Sequence, residues 1–483
     1  VEILDGFQNI LPYGSDYLFQ NEYSNLTDAY KKNELLKESS LGLFMLSSIP
    51  VDRAEPSEAL KATTVWNANN FADCKTLLSN NQIKNFKKGK VVETEFDIRA
   101  SRGAYYMYSK FSLAAGENSN WLFAAELNQD SADVANLNKL LVSEKNIETL
   151  VDEDIEAGTL NLKKIVGSAD GLQLGNEELG FARHFSNTLF NVMRGGIFSD
   201  GYNIDKEDFR LYIEQTNKQI QEKFAAELEK LPNDLEYAQL LDWAQKQNNS
   251  DLLRIALEYL PLTFSRRHGD PSRPWNVFSI ETKNPDGTDK LNYQGNWRDI
   301  FQNWEALSIS YPEYVEGMIC KFLNASNADG YNPYRITREG IDWEVPNPDE
   351  PWAYIGYWGD HQIIYLQKFL EISNSHNPEK LDELLSSPIF VYANVPYRIK
   401  SFEDIKTNPK DTIDFDFDLN QKINKKAKQI GADGKLLTNS SGDICKVNLM
   451  EKILATLLSK LSNFIPEAGI WLNTQRPEWN DAN

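Results

Sequence analysis

Near residue 131 the spacing of apolar side chains changes, and one layer of one kind of secondary structure cannot accommodate both halves. Before that point the period is two. Residues 91–98 (VVETEFDI) partly alternate apolar and polar, and 104–113 (AYYMYSKFSL) carry aromatic side chains that suit a pleated surface. Residues 41–51 (LGLFMLSSIPV) read as a further strand. A turn at 115–120 (AGENSN) leads into 121–127 (WLFAAEL), which predicts a hairpin between the two flanking strands. Several strands separated by turns predict an antiparallel β-sandwich over residues 1–130. The opening residues read like the middle of a sheet, so further strands are expected ahead of Val1.

After the change the period is helical. Ser131 or Asp133 can cap a helix carrying Val134, Leu137, Leu140 and Leu141, and residues 131–178 read as a helical linker ending in a glycine-bearing loop. Amphipathic helices are predicted at 206–231 and 235–247, with more at 298–309, 311–323, 358–372 and 447–463. Helix–loop–helix pairs recur over 179–483, joined by long aromatic loops. This fits a helical toroid or an irregular helical domain whose loops carry function. Residues 400–440 read as an insertion. Its DTIDFDFDL run (411–419) could suggest a cation site, but a half-exposed strand has the same alternation, and the D-x-[DN]-x-[DN]-G spacing is missing.

Composition removes whole classes of function. The 483 residues carry 50 Lys and Arg against 71 Asp and Glu, a net charge of −21, which argues against a nucleic-acid partner. No apolar run approaches the ~18 residues that a membrane span needs. Cys74, Cys320 and Cys445 are far apart and odd in number, and only four histidines occur, so neither a disulfide framework nor a metal centre is expected. Unpaired cysteines without a visible secretory signal point to the cytoplasm. Phosphate loops, dinucleotide fingerprints, H-E-x-x-H and G-x-S-x-G are absent.

What the chain has is tryptophan beside carboxylates. Eight of its 11 Trp lie at or beyond Trp275, seven of them in four segments: RPWN (273–276), GNWRDIFQNWEAL (295–307), GIDWEVPNPDEPWAYIGYWGDHQ (340–362) and RPEWNDAN (476–483). Rings next to acids and amides are what a sugar needs, a flat face for its C–H side and hydrogen bonds for its hydroxyls. The competing reading is packed indoles and ion pairs that lock loops. Cleaving a glycosidic bond takes one carboxylic acid for the leaving oxygen. It also takes either a second carboxylate or an external anion as nucleophile.

At these residues the sequence resembles glycoside hydrolase family 94, the cellobiose/chitobiose phosphorylase and cyclic β-glucan synthetase group of the six-hairpin glycosidases. GNWRDIFQN (295–303) is similar to the family's G-Y-R-D-T-x-Q-D loop, YWGDHQ (357–362) to its W-S-D-D-H-L segment, and EWND (478–481) to its D-W-N-D motif. The order agrees over nearly the whole chain. The resemblance implies a β-sandwich over 1–130, a helical linker over 131–178 and an (α/α)6 toroid over 179–483. It implies Asp481 as general acid, Arg298 and Asp299 as the clamp on the sugar, and Trp297, Trp358 and Trp479 as rings of the pocket. Asp360, His361 and Gln362 belong to the same pocket. Glu478 replaces the family's Asp, and Trp297 its Tyr. The implied reaction is inverting cleavage of a β-linked disaccharide or oligosaccharide by inorganic phosphate, with no cofactor and no metal.

Hydrolysis is the alternative, and needs a second carboxylate roughly 6.5–9.5 Å from the acid, for which Glu344, Asp342 and Asp360 are candidates. A non-catalytic carbohydrate-binding protein is a further alternative. The family also forms homodimers. Its toroid continues past the D-W-N-D motif with residues that bind phosphate, whereas Asn483 follows Asp481 by two residues, so the sequence is expected to be a piece of a longer protein.

Overall fold

Eight strands carry the first part of the chain: β1 (Glu2–Ile10), β2 (Lys31–Leu36), β3 (Leu41–Leu46), β4 (Ala62–Asn69), β5 (Cys74–Leu77), β6 (Asp97–Arg99), β7 (Gly103–Lys110) and β8 (Trp121–Gln129). This computed structural model describes all residues except 15–16, 49–60, 145, 266–280, 285–287, 333–334, 349–361, 409–410, 462–463, 468 and 471–483. At 17–19, 296–299, 362–363, 465 and 470 it describes the backbone alone. The chain divides into two units, Val1–Leu160 and Asn161–Asn483.

In the first unit the strands form two antiparallel sheets, ordered β6-β2-β3-β4-β8 and β1-β7-β5. Alternation along β3 explains how they meet. Phe44 points between the sheets, where it joins Leu35, Val65, Leu78 and Tyr105 in one buried cluster. Gly42 lies on the same side, and a Cβ there would come within 2.8 Å of the Tyr105 ring. Leu41 and Leu43 point the other way and, with Trp66 and Ala68, form a second cluster. Helix α1 (Ser131–Ser143) covers this outer face with Val134, Leu137 and Leu141, followed by Ile147 and Val151 of α2 (Ile147–Ser168). The N-cap of α1 is Asp130, one residue before the expected cap. Its carboxylate accepts from Ala132 N and Asp133 N, while Asp133 accepts from the Asp130 amide.

The expected hairpin is not formed. β7 pairs with β1 and β5, whereas β8 pairs with β4 in the other sheet. The reason lies in β7 itself. Both its faces are buried, Tyr105 and Met107 on one side and Ala104 and Tyr106 on the other, so it is a central strand with no free edge. Within the expected strand 91–98, only Asp97 and Ile98 enter a ladder. Upstream, the Glu95 carboxylate accepts from Leu78 N (2.8 Å) and Ser79 Oγ, so side-chain bonds replace sheet pairing there.

The second unit is mainly helical. Helix α3 (Glu178–Gly195) is followed by α4 (Lys206–Thr216), α5 (Tyr237–Lys246), α6 (Ser250–Glu258), α7 (Trp297–Ser310), α8 (Val315–Asn324), α9 (Gln362–His376), α10 (Pro378–Ser386), α11 (Phe417–Ile430) and α12 (Leu449–Leu461). One continuous apolar cluster runs through Tyr212, Leu240, Ile255, Trp304, Met318, Phe322 and Phe369. Every residue of α8 is buried, which makes it the central helix of this unit.

The helix expected over 206–231 is broken at Asn217, whose backbone is extended (φ −155°, ψ 100°). Its Oδ1 accepts from Ile220 N, capping a new turn, and its Nδ2 donates 2.7 Å to buried Asp433. Arg254 Nη2 meets the same Asp433 oxygen at 2.6 Å. A buried polar network therefore sets the break. In the DTIDFDFDL run, Ile413–Phe415 pairs with Tyr397–Ile399, and Asp416 then caps α11 by accepting from Leu419 N. Among the described residues no group of three or more His, Cys, Asp or Glu could hold a metal.

Candidate active site

The G-N-W-R-D and G-I-D-W-E segments are stems of one small sheet. Strands β9 (Gln294–Asn296), β10 (Arg335–Thr337) and β11 (Ile341–Asp342) form an antiparallel meander in which Asn296 faces Arg335, and Arg335 faces Asp342. Asn296 runs directly into α7, so the backbone of residues 297–299 forms the first turn of that helix.

Helix α7 is held from behind. Trp304 Nε1 donates 3.1 Å to Gly195 O, and Asn303 Nδ2 donates 2.7 Å to Gly196 O. Gly195 permits this approach, since a Cβ there would sit 2.9 Å from Asn303 Nδ2. On its other flank α7 lies parallel to α9. The rings of Phe301 and Tyr365 stack at 5.5 Å, Phe301 also meets Phe369 at 5.3 Å, and Lys368 Nζ lies 2.6 Å from Glu305. Ser373 near the end of α9 donates 2.6 Å to Glu316 at the start of α8, which follows the end of α7 after four residues, so the last turns of α7 and α9 adjoin and the two helices run the same way. The start of α7, which carries residues 297–299, thus adjoins the start of α9 at Gln362. Trp358, Asp360, His361, Trp479 and Asp481 lie outside the described residues, as do the side chains of Trp297, Arg298, Asp299 and Gln362.

Of the proposed second carboxylates, Asp342 is fully engaged. Arg335 donates to its Oδ2 through Nε (3.1 Å) and Nη2, Lys435 Nζ lies 3.6 Å from Oδ1, and Trp343 N donates to Oδ1 at 3.0 Å. Burial pushes this carboxyl upward, but Lys435 and Arg335 outweigh it and hold Asp342 below the usual carboxylate range. It is an ionised brace on β11. The next residues are fixed as well: Trp343 Nε1 donates 2.9 Å to Asn420, and Tyr397 OH donates 2.9 Å to Glu344 O. The Glu344 side chain is half-buried.

Two of the clustered tryptophans are structural, against the expectation that these rings sit in loops. Trp304 is fully buried on the inner face of α7, and Trp343 is buried with the Lys435 ammonium 5.2 Å from its ring. Both indole N–H groups have partners, as buried indoles require. The reading of packed indoles therefore holds for these two. Arg335 and Lys435 escaped the sequence reading because neither lies near a tryptophan in sequence; only the β9–β10–β11 register brings Arg335 to the site stem.

Residues 198–261 match the model of glycoside hydrolase family 149 insertion domain 1. The match indicates a glycoside hydrolase-like, carbohydrate-active protein and does not single out family 94. No curated protein matches the chain. The matched segment has the topology of an insertion: Ile197–Phe198 pairs antiparallel with Leu262–Thr263, so its ends leave and rejoin the unit side by side. The sequence reading placed an insertion at 400–440 and none here.

Proposed function

We propose that this chain is the catalytic part of an inverting enzyme that cleaves a β-linked disaccharide or oligosaccharide by phosphorolysis. The observation that supports this most is the parallel register of α7 and α9, which sets the stem of G-N-W-R-D beside the helix following W-G-D-H-Q. It does so in a chain with a glycoside hydrolase-like segment. The second unit is read as part of an (α/α)6 toroid of the family 94 kind. In this reading Asp481 protonates the glycosidic oxygen, and Arg298 with Asp299 orients the sugar. Trp297, Trp358 and Trp479 wall the pocket, with Asp360, His361 and Gln362 on its rim.

An aromatic, water-poor pocket would raise the pKa of Asp481 and keep its proton available. Engagement of Asp342 by Arg335 and Lys435 leaves Glu344 and Asp360 as the carboxylates that hydrolysis could use. Phosphorolysis needs neither, because the anion is itself the nucleophile; no cofactor is required.

The test is product analysis on the complete polypeptide with a panel of β-linked glucans. Sugar 1-phosphate is expected, and Asp481→Asn should lose roughly 10³-fold or more of kcat while keeping substrate binding. Free sugar without sugar phosphate would make the enzyme a hydrolase. No product with any substrate would leave a carbohydrate-binding protein.

A further inference from the structure

A cleft of about 400 Å³ opens between α4, Asn284 with residues 289–294, and the β10–β11 turn. Asp208, Leu211 and Gln215 enter it from one face of α4, at helical spacing. Opposite them stand Gln294 and Thr337, a directly paired couple on β9 and β10 whose side chains share one face of the sheet. The floor is rigid. Arg338 is 6% exposed, lies over the rings of Tyr212 and Tyr259 and donates to Asp208, which also accepts 2.6 Å from Tyr259 OH. Thr263 Oγ1 donates 2.9 Å to Lys290 O and ties down the loop.

Three charge pairs account for the other ionic groups around the cleft, Asp208 with Arg338, Asp289 with Lys283, and Lys290 with Glu281, and leave Glu339 as the lining carboxylate with no ion pair among the described residues. The amides of Gln215, Asn292 and Gln294 and the carboxylate of Glu339 make no side-chain hydrogen bond to a described residue. Three of these four are half-buried. Half-buried amides without partners offer donors and acceptors together, which adjacent hydroxyl groups satisfy. Among the described residues the lining has no aromatic ring, so recognition runs through hydroxyl edges and not through a stacked face. Glu339 would repel an anion.

We propose that this cleft binds a neutral polyhydroxylated ligand, a saccharide unit, at a site separate from the Asp481 pocket. It does not depend on the catalytic reading.

Hydrogen exchange on the complete polypeptide tests it with glucose, cellotriose, laminaritriose, maltotriose and glucose 1-phosphate as probes. At least one neutral sugar should protect segments 206–216, 289–294 and 335–340, more strongly than glucose 1-phosphate does. Leu211→Trp, at an exposed rim position, fills the cleft, and Asn292→Leu removes one amide. Each should weaken that protection roughly tenfold in apparent affinity. Trp479→Ala, which removes a ring of the catalytic pocket and should weaken binding there, should leave the cleft protection unchanged, so a failed catalytic reading and a failed cleft give different results. The proposal is overturned if no neutral sugar protects these segments, if protection survives both cleft variants, or if glucose 1-phosphate protects as well as the most protective neutral sugar.

Discussion

The two units hold together by different means. Between the sheets of the first unit the buried cluster is Leu35, Phe44, Val65, Leu78 and Tyr105, and the Tyr105 hydroxyl sits at its rim, donating to Ser40 O. In the second unit the core is threaded with ionisable side chains, whereas among the described residues the first unit buries only Lys31 and Glu95 of this kind. Arg254 and Glu258 are buried on α6, Lys321 and Glu316 on α8, Asp433 follows α11, and Lys452 and Lys460 lie on α12. A sandwich core of apolar groups tolerates gradual repacking. A core that buries charges tolerates loss of one partner badly, because the remaining charge has no water to return to.

The largest expected effect breaks that contrast at its centre. Asp433→Ala leaves the Arg254 guanidinium and the Asn217 amide buried without their shared acceptor, and should destabilise the second unit by about 3–5 kcal/mol in denaturant unfolding. Phe44→Ala should cost the first unit a comparable amount, about 3–5 kcal/mol, through a cavity. The rescue separates the two mechanisms. Replacing both charges, Arg254→Met with Asp433→Leu, should recover part of the loss, since a well-packed apolar pair is often neutral relative to a buried ion pair, while Glu258, 3.5 Å from Arg254, and the Asn217 amide still lose a partner. If the double variant is no more stable than Asp433→Ala, charge burial does not distinguish the units.

Lys321 sharpens the contrast through pH. It is 3% exposed, lies 5.8 Å from each of the Tyr212 and Tyr293 rings and donates to Arg338 O. Burial lowers its pKa to about 8, despite the opposing pull of Glu258 and Glu339. The unfolded chain holds this proton more tightly, at about 10.4, so below pH 8 the charged side chain works against folding by about 3 kcal/mol. That cost disappears as pH rises from 8 toward 10.4. Second-unit stability from Lys321 should therefore increase over this window, and Lys321→Met should flatten the slope. An unchanged slope in the variant would remove Lys321 as its source.

The sequence announced the strands and helices better than their partners. Aromatic side chains along 104–110 mark β7 as a strand, yet whether its neighbour is β8 or β1 depends on which faces are buried, and that is a property of the assembled sandwich. The pattern over 447–463 marks α12 as a helix, but its faces are reversed. Lys452 and Lys460 are buried while Leu454, Leu457, Leu458 and Leu461 are exposed. Lys452 Nζ donates 2.7 Å to Val391 O and lies 3.7 Å from the Tyr392 ring. Those are long-range contacts that no local periodicity encodes. The same holds at the candidate site. The stems of the tryptophan segments were legible as motifs, but Arg335 and Lys435, which decide the state of Asp342, come from outside them.

Asp342 gives the smallest of these effects and the one closest to function. Its carboxylate is about one-third exposed, so solvent screening limits what its two ion pairs contribute. Asp342→Asn keeps the hydrogen bond from Trp343 N while removing the charge, and should cost about 1 kcal/mol. That stability is present above the unfolded carboxylate pKa and fades as pH falls through the lower folded value, so wild type and variant should converge toward acid. As a brace, Asp342 governs where β11 holds Glu344 but takes no part in proton transfer. Asp342→Asn should therefore lower kcat/KM by no more than about tenfold, with the shape of the pH profile kept. A loss matching that of Asp481→Asn, or the disappearance of one limb of the profile, would make Asp342 a participant in the chemistry.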